Sequence, residues 1–175
     1  MEQILEKVTQ LGGITYTDDR IICDSEERKL MMDCFDLTEQ SDYVILLDAI
    51  GGSYFNNDVS CTGLEHVPGA SPEGLKDIGI FIGFIEGAFG ISEIQELVED
   101  NMPEGYLPFI LEVTGDYWVY ELSSGKIFFW HHESPEDEDL YFVADNLTAF
   151  FEKLKIKDAD QGGNKITDFW IADDL

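Results

Sequence analysis

The sequence predicts an α+β fold: an antiparallel β-sheet meander, with room for a mixed edge, and helices packed against it. Three observations carry this. The runs Tyr106 to Val113, Tyr117 to Leu122 and Lys126 to His132 are strand-like and follow one another closely. Only Thr114-Gly115-Asp116 and Ser123-Ser124-Gly125 separate them, and connections that short force neighbouring antiparallel strands. Beyond a further strand at Leu140-Tyr141-Phe142-Val143, the residues Leu147, Phe150, Phe151 and Leu154 recur at helical spacing. A closing helix capped by Asp145 must therefore cover one side of the sheet.

The N-terminal half is read in order. Ile4, Leu5, Val8 and Leu11 recur at helical spacing before Gly12-Gly13, which predicts a helix over about residues 2–11. Ile14 to Thr17 and Arg20 to Cys23 are two β-prone runs around Asp18-Asp19 and suggest a hairpin. Asp24 with Glu27 forms a capping box for a helix carrying Leu30, Met31, Cys34 and Phe35. Residues 39–50 suit a strand or a helix; Leu46, Ala49 and Ile50 before Gly51-Gly52 favour the helix. Residues 56–75 are rich in Asn, Gly, Ser and Pro and read as loop. Ile78 to Ile82 reads as a buried strand, and Ser92 with Gln95 opens a short helix to about Asp100. The whole chain, 1–175, reads as one domain. Residues 158–175 form an extension that opens polar and ends in Phe169-Trp170-Ile171.

Composition narrows the function classes. At 44% hydrophobic and 13% aromatic the chain can bury a sizeable core, which argues against global disorder. Its 37 acidic and 10 basic residues leave a formal charge of -27. Such a surface repels nucleic acid and anionic lipid and favours basic partners. The start lacks a basic segment followed by an apolar run, and the longest apolar stretch, Ile78 to Ile85, is far short of the ~20 residues that cross a bilayer. Cys23, Cys34 and Cys61 are odd in number and widely spaced, as in a reducing compartment. Together these features predict a cytoplasmic protein without a membrane anchor.

Catalytic and cofactor patterns are missing: there is no phosphate-binding glycine loop and no nucleophile elbow. Cys61 and His66 are near in sequence but lack the surroundings of a thiol–imidazole pair. His131-His132-Glu133 invites a metal reading, yet strand alternation would turn the two histidines to opposite faces, so no metal site is expected. Asp158 to Asn164 is a poor calcium loop, with Gly162 at its fifth position and Phe169 where a bidentate glutamate belongs. Asn146-Leu147-Thr148 is a glycosylation sequon at a helix start, irrelevant in a cytosolic chain. No catalytic residue and no cofactor are expected. One segment stands apart. Glu133, Glu136, Asp137, Glu138 and Asp139 bring five carboxylates onto one inter-strand loop, and their repulsion would be relieved by a cationic partner.

Several short motifs resemble the SUKH superfamily, which takes in the Smi/Knr cell-wall regulators and many bacterial immunity proteins. They are Met102 to Phe109, Gly115-Asp116, and Gly125-Lys126 running through an aromatic strand to Trp130, His132 and Glu133. Asp48 to Gly52 is similar to that family's helix ending in a glycine pair, and Asp145 to Leu154 to its closing helix. The likeness spans about residues 43–156. His131 departs from it, standing where the family usually has an acidic residue. The resemblance implies an α+β fold, structural roles for Gly115, Asp116, Gly125, Lys126, Trp130 and His132, and a job: stoichiometric binding of a toxin, often a nuclease. Asp116 would accept backbone hydrogen bonds at the strand turn, and Trp130 would fill the core beneath the last helix. A nuclease must be basic to hold nucleic acid, so an acidic inhibitor suits it. The five loop carboxylates are then the expected partner-facing residues. A regulatory or scaffold module of Smi/Knr type with several weaker partners is the second reading, and a small metal-dependent hydrolase the third.

Overall fold

The computed structural model describes residues 1–18, 20–134 and 139–157. Helix α1 (Glu2–Gln10) buries Ile4 and Val8 and stops at Gly12 and Gly13, both at positive φ. Strand β1 (Ile14–Tyr16) follows, then α2 (Ser25–Cys34) and α3 (Asp42–Ile50). The short strands β2 (Ser53–Phe55), β3 (Val59–Cys61), β4 (Lys76–Asp77) and β5 (Ile80–Phe81) lead to α4 (Ile91–Val98). The C-terminal half holds β6 (Tyr106–Leu111), β7 (Tyr117–Glu121), β8 (Ile127–Trp130), β9 (Leu140–Ala144), α5 (Leu147–Glu152) and β10 (Leu154–Ile156).

Seven strands form one sheet in the order β1-β2-β5-β6-β7-β8-β9, with every neighbouring pair antiparallel. A second sheet has the order β10-β3-β4. The fold is α+β, with the predicted meander as its centre. One face of the large sheet carries Trp118, Tyr120 and Phe129, against which the helices close. Phe150 of α5 packs 5.1 Å from Trp118 and 5.4 Å from Phe109, and Tyr43 of α3 lies 5.3 Å from Tyr120. The Tyr43 hydroxyl donates to the Pro108 carbonyl at 2.7 Å, so its one polar atom is satisfied in the core.

Helix α3 is buried at Tyr43, Val44, Leu46, Leu47 and Ile50 and ends on the glycine pair. Gly51 is needed for space and Gly52 for its φ of +69°. The Asp24–Glu27 capping box of α2 forms as read, with Asp24 Oδ1 accepting from the Glu26 and Glu27 amides at 2.8 and 3.0 Å.

Five local expectations need correction. The N-terminal hairpin does not form: β1 pairs with β2 through Ile14↔Phe55 and Tyr16↔Ser53, while Ile22 makes only an isolated bridge to Ile85. Ile21 and Ile22 are 55% and 62% exposed, so that run has no apolar face to bury in a sheet. Helix α2 buries Met32, with Met31 and Phe35 of the expected face partly buried against the core, whereas Leu30 and Cys34 are exposed. It is tied down by charge: Arg28 bonds Glu39 and Asp48 and stacks 5.1 Å from the Phe84 ring. The expected loop at 56–75 contains β3. The N-cap of α4 is Gly90, leaving Ser92 inside the first turn. Helix α5 is capped by Asn146, whose Oδ1 accepts from the Ala149 amide at 2.9 Å, and Leu154 belongs to β10.

Candidate functional site

The chemistry gathers where β6 turns into β7 and where β8 ends. The turn is closed by the Gly115 amide on the Glu112 carbonyl at 3.0 Å, with Gly115 at a φ of +90°. This tight reversal brings two buried carboxylates, Glu112 and Asp116, to one place. Lys76 of β4 meets them from the second sheet. Its side chain is only 5% exposed, and its Nζ lies 3.7 Å from Glu112 Oε2, 3.8 Å from Asp116 Oδ2 and 4.7 Å from the Phe129 ring centroid. A buried ammonium is tolerated only when paired, and here two carboxylates and an aromatic face surround it.

Asp116 is the hub. Its Oδ1 accepts from His131 Nδ1 at 2.9 Å, His132 Nδ1 at 2.8 Å and the His132 amide at 3.3 Å, while Oδ2 accepts from the Thr114 hydroxyl at 3.1 Å. Burial pushes the Asp116 carboxyl up, but the two imidazole hydrogen bonds, the charge on His131 and the Thr114 hydroxyl outweigh it. The group is held below the ordinary carboxylate range. The backbone donor to Asp116 is the His132 amide beyond β8 and not the expected strand turn, and its other partners here are side chains.

The argument that separated His131 from His132 fails, because β8 ends at Trp130. Both histidines lie past the strand, where the Ser134 amide bonds the His131 carbonyl at 3.0 Å. Alternation no longer governs them, and both rings turn toward Asp116.

The same corner pins the stems of the acidic loop. The His131 amide donates to the Asp139 carbonyl at 2.9 Å, and Trp130 Nε1 donates to Asp139 Oδ2 at 2.7 Å. Glu133 is exposed and Asp139 half-buried; Glu136, Asp137 and Glu138 lie outside the described residues, as do Asp158 to Asn164 and the 158–175 extension. Gly125 turns β7 into β8 at a φ of +75°, and Lys126 beside it is exposed. Trp130 is buried, but not beneath α5. It pairs with Tyr117, one residue along from the Trp118 that α5 covers, and so faces the other side of the sheet.

On that other side the sequence reading missed a feature. Tyr106, Phe128 and Phe142 form a row across β6, β8 and β9, with ring centroids 5.5 and 5.7 Å apart. Phe142 is 46% exposed, and the Tyr106 hydroxyl donates to Glu121 Oε1 at 3.0 Å. Burial raises the Tyr106 hydroxyl, helped by that hydrogen bond and by the charges of Glu121 and Asp139. The charge of Asp139, at the end of the acidic segment, is thus felt at the row. The signal for the row is the alternation in Phe128-Phe129-Trp130 and Tyr141-Phe142-Val143, which turns Phe128 and Phe142 away from Phe129.

Cys61 and His66 do not form a pair. Cys61 is buried and its thiol is pushed up to about 12 by burial, whereas His66 Nε2 lies 3.1 Å from the Phe142 carbonyl.

Comparison with known proteins agrees with this layout. The family described as SUKH_6, SMI1-KNR4 cell-wall, matches residues 6–151. A curated relative, the SPbeta prophage-derived uncharacterized protein YokK of Bacillus subtilis (strain 168), is 25% identical over 148 residues, covering 77% of each chain. Among the described residues, no helix is long and apolar enough to cross a membrane.

Proposed function

Because this chain belongs to the SUKH family of SMI1-KNR4 domains, we propose that it is a bacterial immunity protein that neutralises a basic toxin domain by one-to-one binding in the cytoplasm. The observation that carries the reading is a row of partly exposed aromatic rings across β6, β8 and β9, with Glu121 bonded to Tyr106, on a chain of charge -27. Aromatic side chains supply the anchors that dominate interface energetics, and a surrounding acidic field draws in and orients a cationic partner. Glu133, Glu136, Asp137, Glu138 and Asp139 are the proposed electrostatic contacts, with Tyr106, Phe128 and Phe142 as the apolar ones. Gly115, Asp116, Trp130 and His132 serve to hold the corner in shape, and Gly125 and Lys126 shape the β7–β8 turn at the other end of those strands. The acidic surface also keeps nucleic acid away, so inhibition proceeds through protein contact and without a cofactor.

Co-expression tests the reading. The C-terminal domain of whatever large secreted protein is encoded beside this gene is expressed alone and together with this chain in the same cells. Growth is expected to be restored by the wild-type chain. A combined Glu133→Gln, Glu136→Gln, Asp137→Asn and Glu138→Gln variant is expected to restore it less well. Toxicity unaffected by the wild-type chain would overturn the proposal.

A further inference from the structure

We propose that Asp116, His131 and His132 form a binding site for one divalent transition-metal ion, with Zn2+ the best match. Asp116 Oδ1, His131 Nδ1 and His132 Nδ1 all lie within 4.8 Å of one another, and the oxygen is 2.9 and 2.8 Å from the two nitrogens. Around a tetrahedral ion with metal–ligand distances of about 2.0–2.1 Å, neighbouring donors stand about 3.3 Å apart. The oxygen therefore needs to part from each nitrogen by about 0.4–0.5 Å, while the two nitrogens, within 4.8 Å of each other, settle at the same spacing. Each imidazole binds through its Nδ1 lone pair, and its remaining ring hydrogen then sits on Nε2.

The surroundings favour this use. Asp116 Oδ2 is already oriented by the Thr114 hydroxyl at 3.1 Å and by Lys76 Nζ at 3.8 Å, the outer contacts that fix a ligating carboxylate. With both imidazoles neutral, as metal ligation requires, Asp116 and Glu112 together outweigh Lys76, and the pocket carries a net negative charge suited to a cation. An entry path exists: the His131 and His132 side chains are 24% and 40% exposed. Beside His132 lies an open cavity of about 250 Å3 lined by Leu97, Asn101, Gly115, Tyr117 and Trp130, which gives solvent access to that ring. Two imidazoles select Zn2+, Co2+ or Ni2+ over Mg2+ and Ca2+, which prefer oxygen alone. The ion would clamp the β6–β7 turn to the exit of β8.

The full chain is titrated with Zn2+ by calorimetry in excess Mg2+, which occupies indiscriminate acidic sites, and with Co2+ by visible absorption. One ion per chain is expected, with a Kd of about 1 µM or below, a rise in melting temperature, and a Co2+ spectrum of nitrogen and oxygen ligation without a thiolate band. His131→Ala and His132→Ala, each checked for folding by circular dichroism, should each weaken binding by about tenfold or more. His66→Ala should leave it unchanged. Absence of saturable one-to-one binding in excess Mg2+ overturns the site, as does binding that survives both the His131→Ala and the His132→Ala substitution.

Discussion

The Trp130 indole holds Asp139 by a 2.7 Å hydrogen bond across the two stems of the acidic loop. One carboxylate of that loop is thus engaged internally, unlike Glu133, which is exposed. Replacing Asp139 with Ala leaves the indole N–H of a residue that is 3% exposed without its partner. The expected loss is about 1–3 kcal/mol of unfolding free energy, against less than about 0.5 kcal/mol for Glu133→Gln. Urea denaturation of the two variants measures the difference; equal effects would mean that the bond does not hold the stems.

Gly51 and Gly83 are packed back to back. A Cβ on Gly51 would stand 2.4 Å from the Gly83 Cα, and one on Gly83 would stand 2.7 Å from the Gly51 Cα. Neither glycine sits at positive φ, so the requirement is space between two backbones. Gly51→Ala and Gly83→Ala should each cost about 3 kcal/mol, because backbone yields less readily than a side-chain end. A fall in denaturation midpoint for one but not the other would show that the contact relaxes from one side.

Lys76 balances two buried carboxylates, and removing it leaves both uncompensated. Lys76→Met is expected to destabilise by about 3–5 kcal/mol. Adding Glu112→Gln should recover part of that loss, since it removes one of the stranded charges. Strict additivity in this double-mutant cycle would contradict the coupling.

Thiol chemistry separates the three cysteines. Cys34 is exposed, whereas Cys23 is raised from 9.0 to about 11 by burial and the charges of Glu27, Glu93 and Glu86, and Cys61 is raised to about 12 by burial. Near pH ~8, a thiol reagent should label Cys34 rapidly and the other two only on unfolding. A raised thiol pKa contributes stability that is complete below the ordinary value of 9.0 and is lost as pH rises toward the folded value. Denaturation midpoints should therefore fall progressively between about pH 9 and pH 12. Rapid labelling of all three thiols in the folded chain would contradict the burial.

The sequence revealed the centre of this fold more readily than its margins, for physical reasons. Strands β6 to β8 are joined by turns too short for any other pairing, and their glycines mark the reversals. Strand β1 instead pairs with β2, some 40 residues away, as Ile14↔Phe55, a partner that no local pattern names. Strand β3, Val59–Cys61, is three residues long inside a polar stretch and gains its structure from β10 and β4. Asp145 and Asn146 are both good caps, and only the backbone geometry chooses Asn146. At the site, the Asp116–His132 contact joins two motifs that were read separately. His131 and His132 escape alternation because β8 ends at Trp130, two residues before the end of the strand-like run.

The most direct measurement is calorimetric titration of this chain into the C-terminal domain of whatever large secreted protein is encoded beside it, at about 50 mM and about 300 mM salt. The account predicts one-to-one binding with a Kd in the nanomolar range or tighter, weakening at the higher salt as the acidic surface is screened. Absence of binding at either salt would contradict the immunity reading, and tight binding indifferent to salt would contradict the role given to the acidic loop.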